Sequence, residues 1–197
     1  IIYDKIEMQD VSGQIVVNNQ TLSLNNLKMK AAEGNMTVNG TYSTVDIEKP
    51  EIDLNLKMNN LNIASAYQNF TIIKKYLPLA NKTVGDFSAN FKVSSILDDK
   101  MMPDYSTLNG IGDLSTSKIS IEGLNSLIQI ADILKLDDFK KLDLEAFLVK
   151  FQFESGKLIV KPTKFKYKNI NAEMEGWTGM DQSIGYDLAL EIPREEF

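Results

Sequence analysis

Few side chains in this sequence could do chemistry. Carboxylates stand in pairs at Asp98-Asp99, Asp137-Asp138 and Glu195-Glu196, with Asp181 close to Gly179 and Gln182. A glycosidase holds two carboxylates about 5–10 Å apart across a sugar. Adjacent residues on a strand point to opposite faces, so these pairs do not supply that geometry. Asp137-Asp138 falls where a helix cap and first-turn acid belong, and Asp181 where a turn belongs. No Asp-x-Asp-x-Asp-Gly calcium loop is present. There is no His and no Cys. That excludes Ser-His-Asp and Cys-His triads, zinc held by imidazole or thiolate, and disulfides. Gly110-Ile111-Gly112 has no third Gly and no helix cap directly after it. It marks a bulge or a close backbone approach, not a phosphate cradle. The sequence therefore predicts a protein that is not an enzyme and holds no cofactor or metal.

Binding remains. The formal net charge is -6, and Lys residues are interleaved with acids, which argues against nucleic acid. Arg194 is the sole arginine, and Trp177 is read as an edge or core residue rather than a ligand stacker. The Asn-x-Thr triplets at Asn19, Asn35, Asn39, Asn69 and Asn81 reflect an Asn-rich composition. With 43% hydrophobic residues the chain of 197 can build a substantial core. No apolar run is long enough for a membrane helix. The chain opens at Ile1, not Met, in a strand-like segment, and is read as a fragment of a longer protein.

The elements that position these residues follow from periodicity. Two-residue alternation dominates, at Ile15 and Val17, Leu22 and Leu24, Met36 to Tyr42, Ile52 to Met58, Phe87 to Val93, Phe147 to Phe153 and Ile184 to Ile192. Each run predicts a strand with one apolar face. Turns are expected at Asn18-Asn19, Asn25-Asn26, Glu33-Gly34-Asn35 and Ser155-Gly156-Lys157, and the short spacing predicts an antiparallel meander. Helical period appears twice. One helix is expected from Asn62 to Leu77, capped by Asn62, stopped by Pro78, with Tyr67, Phe70 and Ile73 facing the sheet. The other spans about Leu124 to Leu134, with Leu127, Ile128 and Ala131 facing inward, and a short third helical turn is expected after it, with Asp137 as cap and Phe139 and Leu142 inward. Residues 98–104 read as a loop.

Residues 15–56 align without a gap onto 151–192 at a shift of 136, the separation of Gly40 and Gly176. Leu22 meets Leu158, Lys28 meets Lys164, Asn35 meets Asn171 and Leu54 meets Leu190. The alternation also agrees, with Ile15 on Phe151, Val38 on Met174 and Leu56 on Ile192. This predicts a repeated four-strand unit, which tends to stack into one extended sheet. The expected fold is mainly β: one domain over 1–197, a curved antiparallel sheet forming a groove or half-barrel from repeated β-units, with two amphipathic helices.

Several stretches carry a family resemblance. Pro103 with Leu108-Asn109-Gly110-Ile111-Gly112 is followed by a helix and then by Phe151-Gln152-Phe153-Glu154-Ser155-Gly156-Lys157-Leu158. The chain then closes through Gly176-Trp177, Asp181, Ile184, Tyr186 and Ile192-Pro193. In order and spacing these resemble the C-terminal region of AsmA-like proteins, which are related to TamB and to bridge-like lipid transfer proteins. The resemblance implies a periplasmic part of a bacterial envelope protein whose parent is anchored by an N-terminal membrane helix. It implies phospholipid movement toward the outer membrane, or outer-membrane assembly, with phospholipid acyl chains and other envelope proteins as partners and no catalytic residues. The alternative is a structural or assembly scaffold with a closed hydrophobic core. Candidates for the apolar lipid-facing surface are Ile15, Val17, Leu22, Leu24, Met36, Val38, Ile52, Leu54, Leu56, Phe151, Phe153, Leu158, Val160, Met174, Leu188 and Leu190.

Overall fold

A computed structural model describes residues 2–3, 6–134, 140–191 and 193. A small hairpin, β1 (Ile2–Tyr3) with β2 (Ile6–Glu7), precedes the main sheet. That sheet contains β3 (Gln9–Asn18), β4 (Thr21–Ala31), β5 (Gly34–Ser43), β6 (Glu51–Asn62), β7 (Thr83–Ile96) and β8 (Asn109–Glu122). It continues with β9 (Lys141–Leu144), β10 (Phe147–Glu154), β11 (Lys157–Tyr167), β12 (Ile170–Gly179) and β13 (Ile184–Glu191). The 11 strands form one curved antiparallel sheet in the order β13-β12-β11-β10-β8-β7-β6-β5-β4-β3. Short β9 pairs with the end of β8 that β10 leaves free. β13 and β3 do not meet, so the sheet is not closed into a barrel. The meander follows from the sequence: tight turns join strands whose alternation gives each one apolar face.

Three turns have the backbone that two-residue hairpins require. One is Ala32-Glu33, with φ of 47° and 64°, one residue earlier than expected, since Gly34 and Asn35 already belong to β5. Asn19 and Gln20 have φ of 46° and 59°, and Ser155 and Gly156 have 51° and 73°. Both residues at positive φ give the turn a twist that matches the flanking strands. Asn25-Asn26 is not a turn. It is a bulge inside β4, where the register slips between Leu24 and Leu27 against β5. Asn26 takes φ 50°, which asparagine tolerates. Its N–H, lost to the ladder, donates to Asn39 Oδ1 at 2.8 Å.

The expected first helix is split. Asn62 does cap it, its side chain accepting from Ser65 N at 2.9 Å, but α1 (Ile63–Asn69) ends at Phe70. Phe70 is extended, with φ -103° and ψ 111°, and α2 (Thr71–Tyr76) begins after it. Pro78 opens a 3-10 turn, Pro78–Lys82. The break turns the chain so that two different faces reach the sheet. Phe70 and Ile73 pack against Met36, Met58 and Phe87, while Tyr76 joins Phe153 and Leu158. Tyr67 is only half-buried and has Lys74 Nζ over its ring at 5.9 Å; Ala66, fully buried, takes its place in the core. α3 (Asn125–Leu134) lays Ala131 on Ile119, Ile121, Leu144 and Tyr167. The Leu127 side chain, the Asp137 cap, Phe139, the Asp137-Asp138 and Glu195-Glu196 pairs, Ile192 and Arg194 lie outside the described residues.

Thr116 sits on this buried face, its Oγ1 without a hydrogen-bond partner among the described residues. An unmet buried hydroxyl costs about 1–3 kcal/mol. Thr116→Val keeps the shape and removes the group. Urea titration is expected to show a gain of about 1 kcal/mol; a loss would mean the hydroxyl has a partner.

Candidate functional site: one apolar sheet face

Directly opposed residues of an antiparallel pair share a face. One rung can be followed across all ten strands of the path: Ile15, Leu24, Gly40, Leu54, Val93, Gly110, Phe153, Leu158, Thr178 and Ile184. The next rung runs Val38, Leu56, Phe91, Gly112, Phe151, Val160, Gly176 and Tyr186. Val17, Leu22 and Ile52 lie on a third, and Met36 opposes Met58. Met174 opposes Leu188, and Leu190 opposes Ala172. All sixteen candidate residues therefore occupy the same face of the sheet, and no rung above contains a charged side chain.

Burial divides that face. Met36, Val38, Phe153, Leu158 and Val160 are buried. Leu22, Leu24, Ile52, Leu54, Leu56, Phe151, Met174 and Leu190 are half-buried. Ile15, Val17 and Leu188, on the edge strands, are open to solvent, at 55%, 73% and 45% exposure. Sequence reasoning missed Phe91 and Val93 as members of the face, although both stand in its alternation. Tyr76, which with Leu77 ends the apolar stripe of the expected first helix, closes the face from α2; sequence reasoning could not find Tyr105 and Leu108, which close it from the loop between β7 and β8.

That closure is aromatic. The Tyr76 ring lies 5.3 Å from Phe153 and 6.1 Å from Tyr105, both edge to face. Tyr76 donates its hydroxyl to the Gly156 carbonyl at 3.4 Å. Burial pushes the hydroxyls of Tyr76 and Tyr105 above the ordinary range, so both stay neutral at physiological pH. Gly112 serves as the close approach expected of it. Phe91 and Phe151 flank it on the neighbouring strands, their rings 6.1 Å apart, and a Cβ there would collide with both.

The opposite face is mostly polar, although Val16, Val84, Ile111 and Leu148 stand exposed on it. A depression of about 590 Å³ there is bordered by Lys57, Lys92, Lys150 and Lys161, by Asn39, Asn55 and Asn90, and by Asp113. Another of about 370 Å³ lies beside Asp53, Asn109, Gln152 and Glu154. Of the sixteen candidates only Leu56, Phe151 and Phe153 border either. Trp177 lies over Gly185 on this side, with Lys157 Nζ 3.8 Å from its ring centre.

The carboxylates hold loops. Asp98 Oδ1 accepts from the backbone of Lys100 and Met102, each at 2.9 Å. Asp181 accepts from both the hydroxyl and the backbone N–H of Ser183, which hold its carboxyl below the usual range. Among the described residues no three acidic side chains gather into a metal site. No helix among them is long and apolar enough to cross a membrane.

No protein-family model, no curated protein and no solved structure matches this chain.

Proposed function

We propose that this chain is a non-catalytic, lipid-handling segment of a bacterial envelope protein of the AsmA-like kind. Its apolar β-surface meets phospholipid acyl chains during transport toward the outer membrane or during outer-membrane assembly. The proposed setting is the periplasm, with the parent protein anchored in the inner membrane. The observation that carries this reading is the charge-free apolar face that crosses all ten strands and emerges into solvent at both edges. Acyl chains need a continuous apolar path, and a single charge on it would be costly. A second reading, an assembly scaffold with a sealed core, is favoured by the closed middle, where Val38, Phe153 and Val160 are buried.

Native mass spectrometry of the chain purified from bacteria separates the two. Co-purifying phospholipid is expected, and a lipid-free mass together with no uptake of fluorescent phospholipid would favour the scaffold. Two substitutions localise the effect. Leu188→Asp, on an exposed edge, should keep the circular dichroism spectrum and lower lipid uptake several-fold. Val160→Asp buries a charge and should unfold the protein. Undiminished uptake by Leu188→Asp would remove the edge from the lipid path.

A further inference from the structure

Lysines that stand far apart in the chain meet on the mostly polar face. Lys57, Lys92, Lys150 and Lys161 all border the depression of about 590 Å³, which lies over β5 to β11, clear of the outermost strands. The ladder sets Lys57 opposite Asn90, Asn90 opposite Asp113 and Asp113 opposite Lys150. Phe151 opposes Val160, so Lys150 and Lys161, each next along its own strand, stand side by side. Like charges so placed repel, at a cost to the sheet. The carboxylate on the border, Asp113, is engaged by Asn90, whose Nδ2 donates to Oδ2 at 3.3 Å. Lys92 reaches Asp53 at 3.9 Å. Among the described residues no carboxylate forms an ion pair with Lys57, Lys150 or Lys161. Elsewhere on the same face Lys30 meets Asp10 at 2.6 Å and Lys164 meets Glu173 at 3.9 Å. The depression is therefore positive in a chain whose formal net charge is -6.

We propose that this depression binds a water-soluble sugar phosphate, with the phosphate at Lys150 and Lys161 and the sugar ring over Ile111. A phosphate placed there relieves the repulsion between the two ammonium groups. Lysine acts as a point charge and suits the several oxygens of a phosphate, whereas a planar carboxylate is matched by the arginine fork, and no arginine borders the depression. The volume falls within the range of small-molecule sites, about 300–1,000 Å³. Ile111 stands between Lys92 and Gln152 on its rung and is 67% exposed, an apolar floor for the C–H face of a sugar. Gln152 Nε2 donates to Glu154 at 2.9 Å, which leaves its Oε1 to accept from a sugar hydroxyl. A nucleobase would find no ring to stack on, because Phe91 and Phe151 turn their side chains to the apolar face. A lipid whose acyl chains lay on that face could not place its headgroup here, because the sheet stands between. This site goes beyond the lipid reading and does not depend on it.

The test is isothermal titration calorimetry on the 197-residue chain at low salt. The probes are the phosphate monoesters of glucose, mannose and N-acetylglucosamine, with inorganic phosphate and the three unphosphorylated sugars as controls. At least one monoester is expected to bind with a millimolar or tighter Kd, about tenfold tighter than inorganic phosphate and than its own sugar. Binding should weaken as salt is raised. Lys150→Gln combined with Lys161→Gln should weaken it by about tenfold or more, a loss of about 1.4 kcal/mol. Both lysines are exposed, and circular dichroism checks that the double variant folds. Lys164→Gln, at a lysine held by Glu173 outside the depression, should bind as the wild type does. The monoester should also raise the unfolding temperature of the wild type and leave that of the double variant unchanged. No binding by any of the three monoesters overturns the proposal. Binding no tighter than that of inorganic phosphate overturns it as well, because attraction of any anion to the lysines would account for it. So does a double variant that binds as well as the wild type.

Discussion

Gly40→Val is expected to lower the unfolding free energy by about 3–5 kcal/mol, and Gly176→Val by a similar amount. Gly40 has φ 145° and Gly176 φ 154°, a region that residues with a Cβ rarely adopt. Space compounds the strain. A Cβ at Gly40 would overlap the Asp53 carbonyl oxygen, and one at Gly176 the Gly185 carbonyl oxygen. Both neighbours are strand backbone, which cannot give way as a side-chain tip can. Gly123 supplies the comparison. It also has positive φ, 72°, but its nearest heavy atom would be 4.0 Å from the new Cβ. Gly123→Ala should therefore cost only about 1–2 kcal/mol. Urea unfolding of the three variants separates backbone strain from collision. A loss below 1 kcal/mol for Gly40→Val would show that the strands can move apart there.

Leu61→Ala should cost about 3–5 kcal/mol, the upper part of the range for deleting a buried leucine. Leu61 is 0% exposed and lies in the cluster that joins Met58 and Phe87 of the sheet to Ala66 of α1. Sheet and helix backbone both limit collapse into the space it would leave, which raises the cost. Val84→Ala, at a residue 70% exposed, should change stability by less than about 0.5 kcal/mol. Equal effects at the two sites, measured by urea titration, would mean that α1 does not seal this part of the face.

The two hairpins on either side of the molecule show what a strand pattern specifies. β4–β5 and β11–β12 have the same bounds at a shift of 136, Thr21–Ser43 against Lys157–Gly179. Their registers also agree, including the bulge between Leu24 and Leu27 and that between Val160 and Thr163. The bulge is met differently in each. Asn26 needs Asn39 to take its N–H, whereas Pro162, in the matching place, has no N–H to satisfy. The next strand departs from the ungapped alignment. Gly40 opposes Leu54, but Gly176 opposes Tyr186, so Tyr186 rather than Leu190 occupies the place of Leu54. The turn before β13 is shorter than the one before β6, and register follows the turn, not the count of residues.

What the sequence by itself determined is therefore local and periodic. Alternation determined which side chains share a face, because the two-residue period of a strand holds wherever the strand lies. Asn62 set the start of α1 through one short-range hydrogen bond. The absence of His and Cys settled which chemistries are impossible. The tertiary structure decided which part of the apolar face is covered. Ile15, Phe153 and Ile184 stand on one rung and are alike in sequence pattern, yet Phe153 is buried and the other two are exposed. Burial there depends on Tyr76, about eighty residues away along the chain from Phe153 and brought over it by the break at Phe70. Such contacts carry no periodic signal, because they join elements whose spacing is set by intervening loops. Pairing also decided that, among the described residues, β3 and β13 lie at opposite ends of the strand path, since only the order of strands in space sets which strands are neighbours.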